Sequence, residues 1–241
     1  MPESTRRPSR VVTSLLLLAW IAVTIGGGLL QAGGTSSLDA LARSGIVFAI
    51  PAAALLLLAV ATVGDNRRAF GLVRPSSWRP ALTPALVVAV MLALAVASGL
   101  PTAETLTTLA VNAAFVGLSE ELAFRGLLLA TLLAYLPVRR AVLLSALIFG
   151  ATHSLNALMT GELGAAIAQS ALAVGMGLWA ARLRLETGSL VAPIALHALW
   201  DLALLAVIAG GATGLLPVAA SVVALLGAAL LGVWGWRRLP S

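Results

Sequence analysis

Long apolar stretches, separated by short breaks rich in glycine, proline or arginine, run along the whole chain. The stretches are roughly 20 residues long, the length that a helix needs to cross a hydrocarbon core of about 30 Å. We predict eight transmembrane helices, at Val11–Leu30, Gly45–Val63, Ala81–Leu100, Leu106 to about Leu133, Ala141–Leu158, Leu163–Ala181, Leu190–Ala209 and Leu215–Trp236. The pattern therefore predicts an all-α, polytopic membrane bundle of about eight helices.

Composition excludes an ordinary soluble domain. The chain has 241 residues, of which 60% are hydrophobic and only 10% are charged, whereas soluble domains carry about 25% charged residues. We expect a basic cytoplasmic tail at 1–10, followed by a single transmembrane domain at 11–241. The absence of cysteine excludes a disulfide framework, a thiolate nucleophile and a thiolate metal site.

The basic residues are all arginines, and their positions predict the topology. Thirteen of the 15 precede the first helix or lie in the loops after the second, fourth, sixth and eighth: Arg6, Arg7, Arg10, Arg67, Arg68, Arg74, Arg79, Arg139, Arg140, Arg182, Arg184, Arg237 and Arg238. Short loops rich in Lys and Arg stay in the cytoplasm, so both termini are predicted to be cytoplasmic. This topology, with membrane lipids as partners, explains the net charge of +6. We therefore expect no nucleic-acid partner.

A few polar residues remain inside the predicted helices, and they include both histidines of the chain: Glu120, Glu121, Arg125, His153, His197 and Asp201. A charged side chain at a helix centre costs about 2.5–3.5 kcal/mol on insertion scales. Small residues already suffice for close packing of membrane helices. The polar residues therefore indicate a functional site.

Helix geometry predicts which of these side chains meet. Glu121 and Arg125 are four residues apart on one face and are expected to form an ion pair. Glu120 points about 100° away, which leaves it as the free carboxylate. Three helices would each contribute one polar face to a shared intramembrane cavity.

Such a cavity can support hydrolysis. A carboxylate in apolar surroundings can take a proton from water, and a neighbouring imidazole can share that proton. A second histidine, with the residue four positions later, can donate hydrogen bonds to the oxyanion that forms on an attacked carbonyl. Two histidines with carboxylates are also a known zinc ligand set, which leaves open a single divalent metal on Glu120, His153, His197 and Asp201.

Three motifs resemble those of one known family. Ser119–Gly126 is similar to its EExxxR signature, Phe149–His153 to FxxxH, and His197–Asp201 to HxxxN or HxxxD. They occur in the order of the CPBP family of intramembrane proteases, also called the Abi, CAAX protease and bacteriocin-processing family. The resemblance covers a catalytic core at about residues 104–209, and eukaryotic members cleave prenylated CAAX tails.

The resemblance implies a role for each polar residue. Glu120 is implied to be the general base, with His153 beside it. His197 and Asp201 are implied to form the oxyanion site. Glu121 and Arg125 are implied to be structural or to tune the charge of the site.

One position departs from the family pattern. Well-studied members carry Asn at the last motif position, whereas Asp201 donates a hydrogen bond only when protonated. Asp201 is therefore either neutral, or orients His197, or binds a metal. Both a metalloprotease mechanism and a metal-free glutamate mechanism have been proposed for this family. Either no cofactor or one metal ion such as zinc is therefore compatible with the motifs.

We therefore expect an intramembrane endopeptidase of a bacterial cytoplasmic membrane. Its substrate would be a hydrophobic or lipidated peptide, reached from the cytoplasmic half of the bilayer. Two other classes remain open: a noncatalytic scaffold or bacteriocin immunity protein on the same fold, and a proton-coupled transporter, in which Glu, His and Asp form a proton relay. The internal repeats typical of transporters are not evident.

Overall fold

A computed structural model describes residues 9–32, 50, 52–54, 56–57, 68–211 and 213–240. Every regular element within these residues is a helix, so the predicted all-α class is confirmed. Residues 50, 52–54 and 56–57 are helical, but the rest of the second predicted span, and residues 1–8 of the basic tail, lie outside the described residues.

The remaining helices are numbered α1 to α10 in chain order. Their bounds are α1 Arg10–Ile21, α2 Gly27–Ala32, α3 Leu82–Ser98, α4 Ala103–Glu121, α5 Leu129–Leu133, α6 Val138–Ser154, α7 Ala157–Thr160, α8 Leu163–Thr187, α9 Val191–Ala209 and α10 Leu215–Arg237. Two π-helical segments, Ala22–Gly26 and Leu122–Leu128, connect α1 to α2 and α4 to α5 without a break. A 3-10 turn at Arg79–Ala81 leads into α3.

Six helices of the described residues are long and apolar enough to span a membrane: Arg10–Leu29, Arg79–Ser98, Val138–Thr160, Leu163–Thr187, Val191–Ala209 and Leu215–Arg237. Each corresponds to a predicted span. The fourth predicted span is helical from Ala103 to Leu133 but is not among the six, and it carries Glu120, Glu121 and Arg125 in one stretch. The chain is an integral membrane protein.

Small residues allow the helices around α8 to pack closely. A Cβ atom added to Gly177 would lie 2.9 Å from the Cα of Ala146 on α6, and one added to Gly175 would lie 2.8 Å from backbone atoms of Ala228 on α10. Close backbone approach of this kind is the usual way in which membrane helices associate. α8 is therefore fixed against both neighbours, and through α6 it holds one of the polar faces in position.

The arginine-rich segments gather at one end of the bundle. The Arg10 guanidinium lies over the Tyr135 ring at 4.4 Å. Arg139 donates a hydrogen bond to the carbonyl oxygen of Arg237, which joins the start of α6 to the end of α10. We call this end the Arg-rich end; the opposite end holds α7 and the start of α8.

A backbone connection at the Arg-rich end sets the start of α9. The backbone N–H of Leu190 donates to the carbonyl oxygen of Gly71 at 2.8 Å. The buried Arg184 donates to the carbonyl oxygens of Arg68 and Ala69. Gly71 has a φ of 75°, a conformation that glycine adopts without strain. This connection fixes the helix that carries both residues of the last motif.

Candidate active site

Three helices bring one carboxylate and two imidazoles together. Glu120 Oε2 lies 3.9 Å from His153 Nε2 and 3.6 Å from His197 Nε2. The three side chains come from α4, α6 and α9, as the polar faces predicted. Both separations exceed a direct hydrogen bond, and Glu120 Oε2 is a buried atom without a hydrogen-bond partner among the described residues.

His153 is held by its own helix. Its Nδ1 lies 2.9 Å from the carbonyl oxygen of Phe149, one turn earlier. Because a carbonyl oxygen only accepts hydrogen bonds, Nδ1 carries the proton and donates it. The other ring nitrogen, Nε2, is therefore the one presented to Glu120.

His197 lies between two adjacent carboxylates of α4. Its Nδ1 is 2.8 Å from Glu121 Oε1, and the same oxygen is 3.0 Å from a guanidinium nitrogen of Arg125. The side chains of Glu121 and Arg125 are each only 1% exposed. The predicted ion pair is therefore present, and it also holds His197, a contact that helix periodicity did not predict.

Asp201 lies one turn after His197 on α9. Its Oδ2 is 3.4 Å from His197 Nε2, and its side chain is 25% exposed. Nε2 therefore faces two carboxylates, those of Glu120 and Asp201. All four predicted catalytic residues, Glu120, His153, His197 and Asp201, are assembled in one cluster, which we call the Glu-His cluster.

Phe149 is a component of the site that the sequence analysis did not single out for a role. The Arg125 guanidinium lies 4.0 Å over the centre of its ring. Its ring meets the His153 ring edge-on at a centroid distance of 4.7 Å and the His197 ring at 6.1 Å. The aromatic position of the second motif was visible in the sequence, but its contact with Arg125 depends on how α4 and α6 pack.

Arg125 lies in the π-helical segment Leu122–Leu128, where every residue is buried. π-helical segments interrupt the regular hydrogen bonding of a helix and often occur at functional sites. In this segment the change of pitch follows directly after the two glutamates. Periodicity alone predicted a regular helix here, because a π-helical turn leaves no distinct mark in the apolar pattern.

A cavity of about 410 Å³ adjoins the Glu-His cluster. All four residues of the cluster line it, together with mostly apolar side chains such as Met159, Met176 and Leu204. Trp20 of α1 also lines the cavity, and its indole N–H donates to Ser119, next to Glu120. The predicted intramembrane polar cavity is therefore present, and helix α1 forms part of its wall.

The direction of the cavity differs from the expected access through the half that carries Arg139 and Arg140. Beyond the cluster, the cavity is lined by Gly28, Asn112 and Ile208, which lie towards the end opposite the Arg-rich end. On the side of the Arg-rich end, Leu122, Phe124 and Phe149 are buried and close the cluster off. The apolar pattern of the sequence could not show which side of the cluster is filled by side chains.

The cluster does not fit a metal ion in this arrangement. Among the described residues, no three His, Asp or Glu side chains converge so that they could hold one. A zinc ligand set needs donor atoms about 2.0–2.2 Å from a common point.

Comparison with known proteins bears on the same residues. Residues 102–203 match the family described as type II CAAX prenyl endopeptidase Rce1-like. No curated protein and no solved structure matches the chain. The matched region contains all three motifs and every residue of the Glu-His cluster. The match over these residues supports the resemblance to the CAAX protease, or CPBP, family of membrane peptidases that the motifs indicated.

Proposed function

We propose that this protein is an intramembrane endopeptidase that hydrolyses a peptide bond with a water molecule activated by Glu120 and His153. The observation that supports this most strongly is the state of Glu120. Its Oε2 is buried, has no hydrogen-bond partner among the described residues and faces two imidazoles across the cavity. Leaving a buried polar atom unpaired costs about 1–3 kcal/mol, so such an atom calls for a functional explanation.

The spacing of Glu120 and His153 suits a shared water molecule. Their facing atoms are 3.9 Å apart, too far for a direct hydrogen bond, and polar groups at such a distance are often bridged by water. A bridging water donates one hydrogen atom to each of them and keeps a lone pair for attack. Glu120 takes the proton as the oxygen attacks the carbonyl carbon, and returns it to the leaving amine.

His197 is placed to stabilise the oxyanion. Glu121 holds Nδ1 and therefore fixes the direction of the ring. When both ring nitrogens carry protons, Nε2–H donates to the oxygen that becomes negative during attack. Asp201, 3.4 Å from Nε2, keeps the ring in this orientation. Glu121 and Arg125 act through His197 and through charge balance, not by touching the substrate.

We propose a hydrophobic or lipidated peptide as the substrate. The cavity volume of about 410 Å³ lies in the range of about 300–1,000 Å³ that is usual for small-ligand pockets. Its apolar lining suits a lipid chain or apolar side chains, with the polar cluster at the inner end for the scissile bond. Lateral access from the hydrocarbon layer avoids exposing the substrate's apolar groups to water.

A cleavage assay in proteoliposomes tests the proposal. Purified protein is given a synthetic peptide with and without a C-terminal prenyl group, and products are read by mass spectrometry in H₂¹⁸O. We expect cleavage of the lipidated peptide, with ¹⁸O in the new carboxylate. Glu120→Gln should lower the rate by about 10²–10⁴, the contribution of general-base catalysis.

Two controls make the assay decisive. Glu104→Gln, in the exposed first turn of α4, removes a carboxylate of the same helix and should leave the rate unchanged. A chelator should also leave it unchanged, because no step uses a metal. Equal rates for wild type and Glu120→Gln would refute the mechanism, and loss of activity on chelation would restore the metal alternative.

We further propose that the Arg-rich end faces the cytoplasm of a bacterial cell, with both termini inside. The chain contains no cysteine, so single introduced cysteines report on topology without background. Ser77→Cys, near the Arg-rich end, should react with an impermeant thiol reagent only after the membrane is opened. Thr102→Cys, at the other end, should react in intact cells. The reverse labelling pattern would overturn this orientation.

A further inference from the structure

A second, smaller pocket lies at the Arg-rich end and shares no lining residue with the cavity at the Glu-His cluster. It has a volume of about 120 Å³ and lies between the start of α3, the end of α8 and the end of α10. Its lining includes Arg79, Thr83, Trp179, Arg182, Glu186 and Trp234. The peptidase chemistry proposed above uses none of these side chains.

The polar groups of this pocket are mostly donors that lack acceptors. The Arg79 guanidinium and the Thr83 hydroxyl have no hydrogen-bond partner among the described residues, and both residues are exposed. Trp179 is only 4% exposed, and its buried indole N–H has no acceptor among the described residues. A buried N–H without a partner is costly, so the pocket favours a ligand rich in acceptor atoms.

The net charge of the pocket also favours a ligand rich in acceptor atoms. Glu186 is the acidic residue among its lining, and it is neutralised by Arg182, whose Nε lies 2.7 Å from the carboxylate. Arg79 therefore leaves the pocket with a net positive charge. Arg182 and Arg238 each lie 4.3 Å from the centre of the Trp234 ring, and these contacts hold the aromatic wall in place.

The surroundings of the pocket are those of a membrane interface. Trp78 and Trp234 are 53% and 42% exposed, and such tryptophans gather at the level of lipid headgroups. Leu82 and Leu86 on α3 and Leu230 on α10 expose large apolar side chains on the membrane side of the pocket. Basic pockets between helices at this level bind anionic headgroups.

From these observations we infer that the pocket binds the phosphate group of an anionic phospholipid. Arg79 provides the charge, and Thr83 and Trp179 provide neutral donors to the phosphate oxygens. The acyl chains lie along the exposed leucines of α3 and α10. The same donors would accept free phosphate, but only a lipid also covers these leucines.

Native mass spectrometry of the detergent-solubilised full-length protein tests the inference. The protein is titrated with short-chain phosphatidylglycerol. Arg79→Gln should weaken binding about fivefold, the effect expected for about one surface charge. Trp179→Phe, which keeps most of the ring but removes the N–H, should weaken it about two- to tenfold, as for the loss of one hydrogen bond.

The matched control is Arg140→Gln, an exposed arginine at the same end that does not line the pocket. It should bind the lipid like the wild type. Equal weakening by Arg140→Gln, or unchanged binding by Arg79→Gln or Trp179→Phe, would overturn the site. Millimolar inorganic phosphate should not displace the lipid, and full displacement would identify free phosphate as the ligand instead. Binding is the readout throughout, so the result is independent of peptidase activity.

Discussion

Two neighbouring glutamates occupy very different surroundings. Glu121 contacts both Arg125 and His197 and is almost fully enclosed. Glu120 turns about 100° away along the same helix and presents a carboxylate oxygen without a hydrogen-bond partner among the described residues to the cavity. At the scale of single residues, one glutamate therefore balances charge in the interior while the other is available for chemistry.

The buried pair gives the first prediction, which concerns stability. Glu121→Gln leaves the Arg125 charge uncompensated inside the protein, and breaking a buried ion pair from one side costs about 3–5 kcal/mol. We expect a clearly lower thermal unfolding midpoint in detergent. The double variant Glu121→Gln with Arg125→Met removes both charges and should recover much of the loss.

Activity separates this role from a purely structural one. The double variant should remain slow in peptide cleavage, because His197 Nδ1 no longer has a carboxylate to fix its ring. Recovery of both stability and full activity would show that Glu121 contributes nothing to the position of His197.

The second prediction concerns Asp201. Asp201→Asn keeps the shape and an oxygen near His197 Nε2, and the new amide can also donate to an oxyanion. We expect cleavage within about tenfold of wild type, whereas Asp201→Leu should lose about 10²–10³, as for removal of an oxyanion-site group. Equal activity of the Asn and Leu variants in the proteoliposome assay would exclude a polar role for this residue.

At the scale of elements, the cluster depends on how closely the helices approach one another. Gly150 lies one turn before Ser154 on α6, and a Cβ atom there would collide with the Val174 side chain and lie 2.8 Å from the Ser170 carbonyl oxygen. The Ser170 hydroxyl donates to the Gly150 carbonyl oxygen at the same contact. α6 therefore rests directly on α8 just before His153.

This contact gives the third prediction. Gly150→Ala should push α6 away from α8, displace His153 and reduce both cleavage and the unfolding midpoint. Gly164→Ala is the control, since nothing lies within 4 Å of a Cβ atom there. If the two variants retain equal activity, the close approach of α6 and α8 does not position the site.

The helices also show which features of the structure the sequence could predict. Runs of apolar residues predicted the bounds of the six described membrane-spanning helices to within about six residues, because the thickness of the bilayer fixes their length. The i,i+4 rule predicted the Glu121–Arg125 pair and the shared face of His197 and Asp201. The π-helical segment Leu122–Leu128, the contact of His197 with Glu121 and the role of Phe149 depend on packing between helices, which periodicity within one helix does not encode.

At the scale of the whole molecule, the loop arginines and the Glu-His cluster lie in two separate regions. The arginines of the described loops gather at one end, where they contact Tyr135, Trp234 and Trp236. The Glu-His cluster lies inside the bundle, and its cavity extends away from that end. The Arg positions in the sequence predicted the first arrangement, but the direction of the cavity needed the positions of α1 and α7 as well.

The most direct test of the central claim is a comparison of membrane peptides between cells that express the wild type and cells that express Glu120→Gln at equal level. If the Glu-His cluster hydrolyses peptide bonds, shortened hydrophobic or lipidated peptides will appear with the wild type, and their uncut precursors will accumulate with the variant. Identical sets of peptides in the two membranes would contradict the assignment of peptidase activity to this cluster.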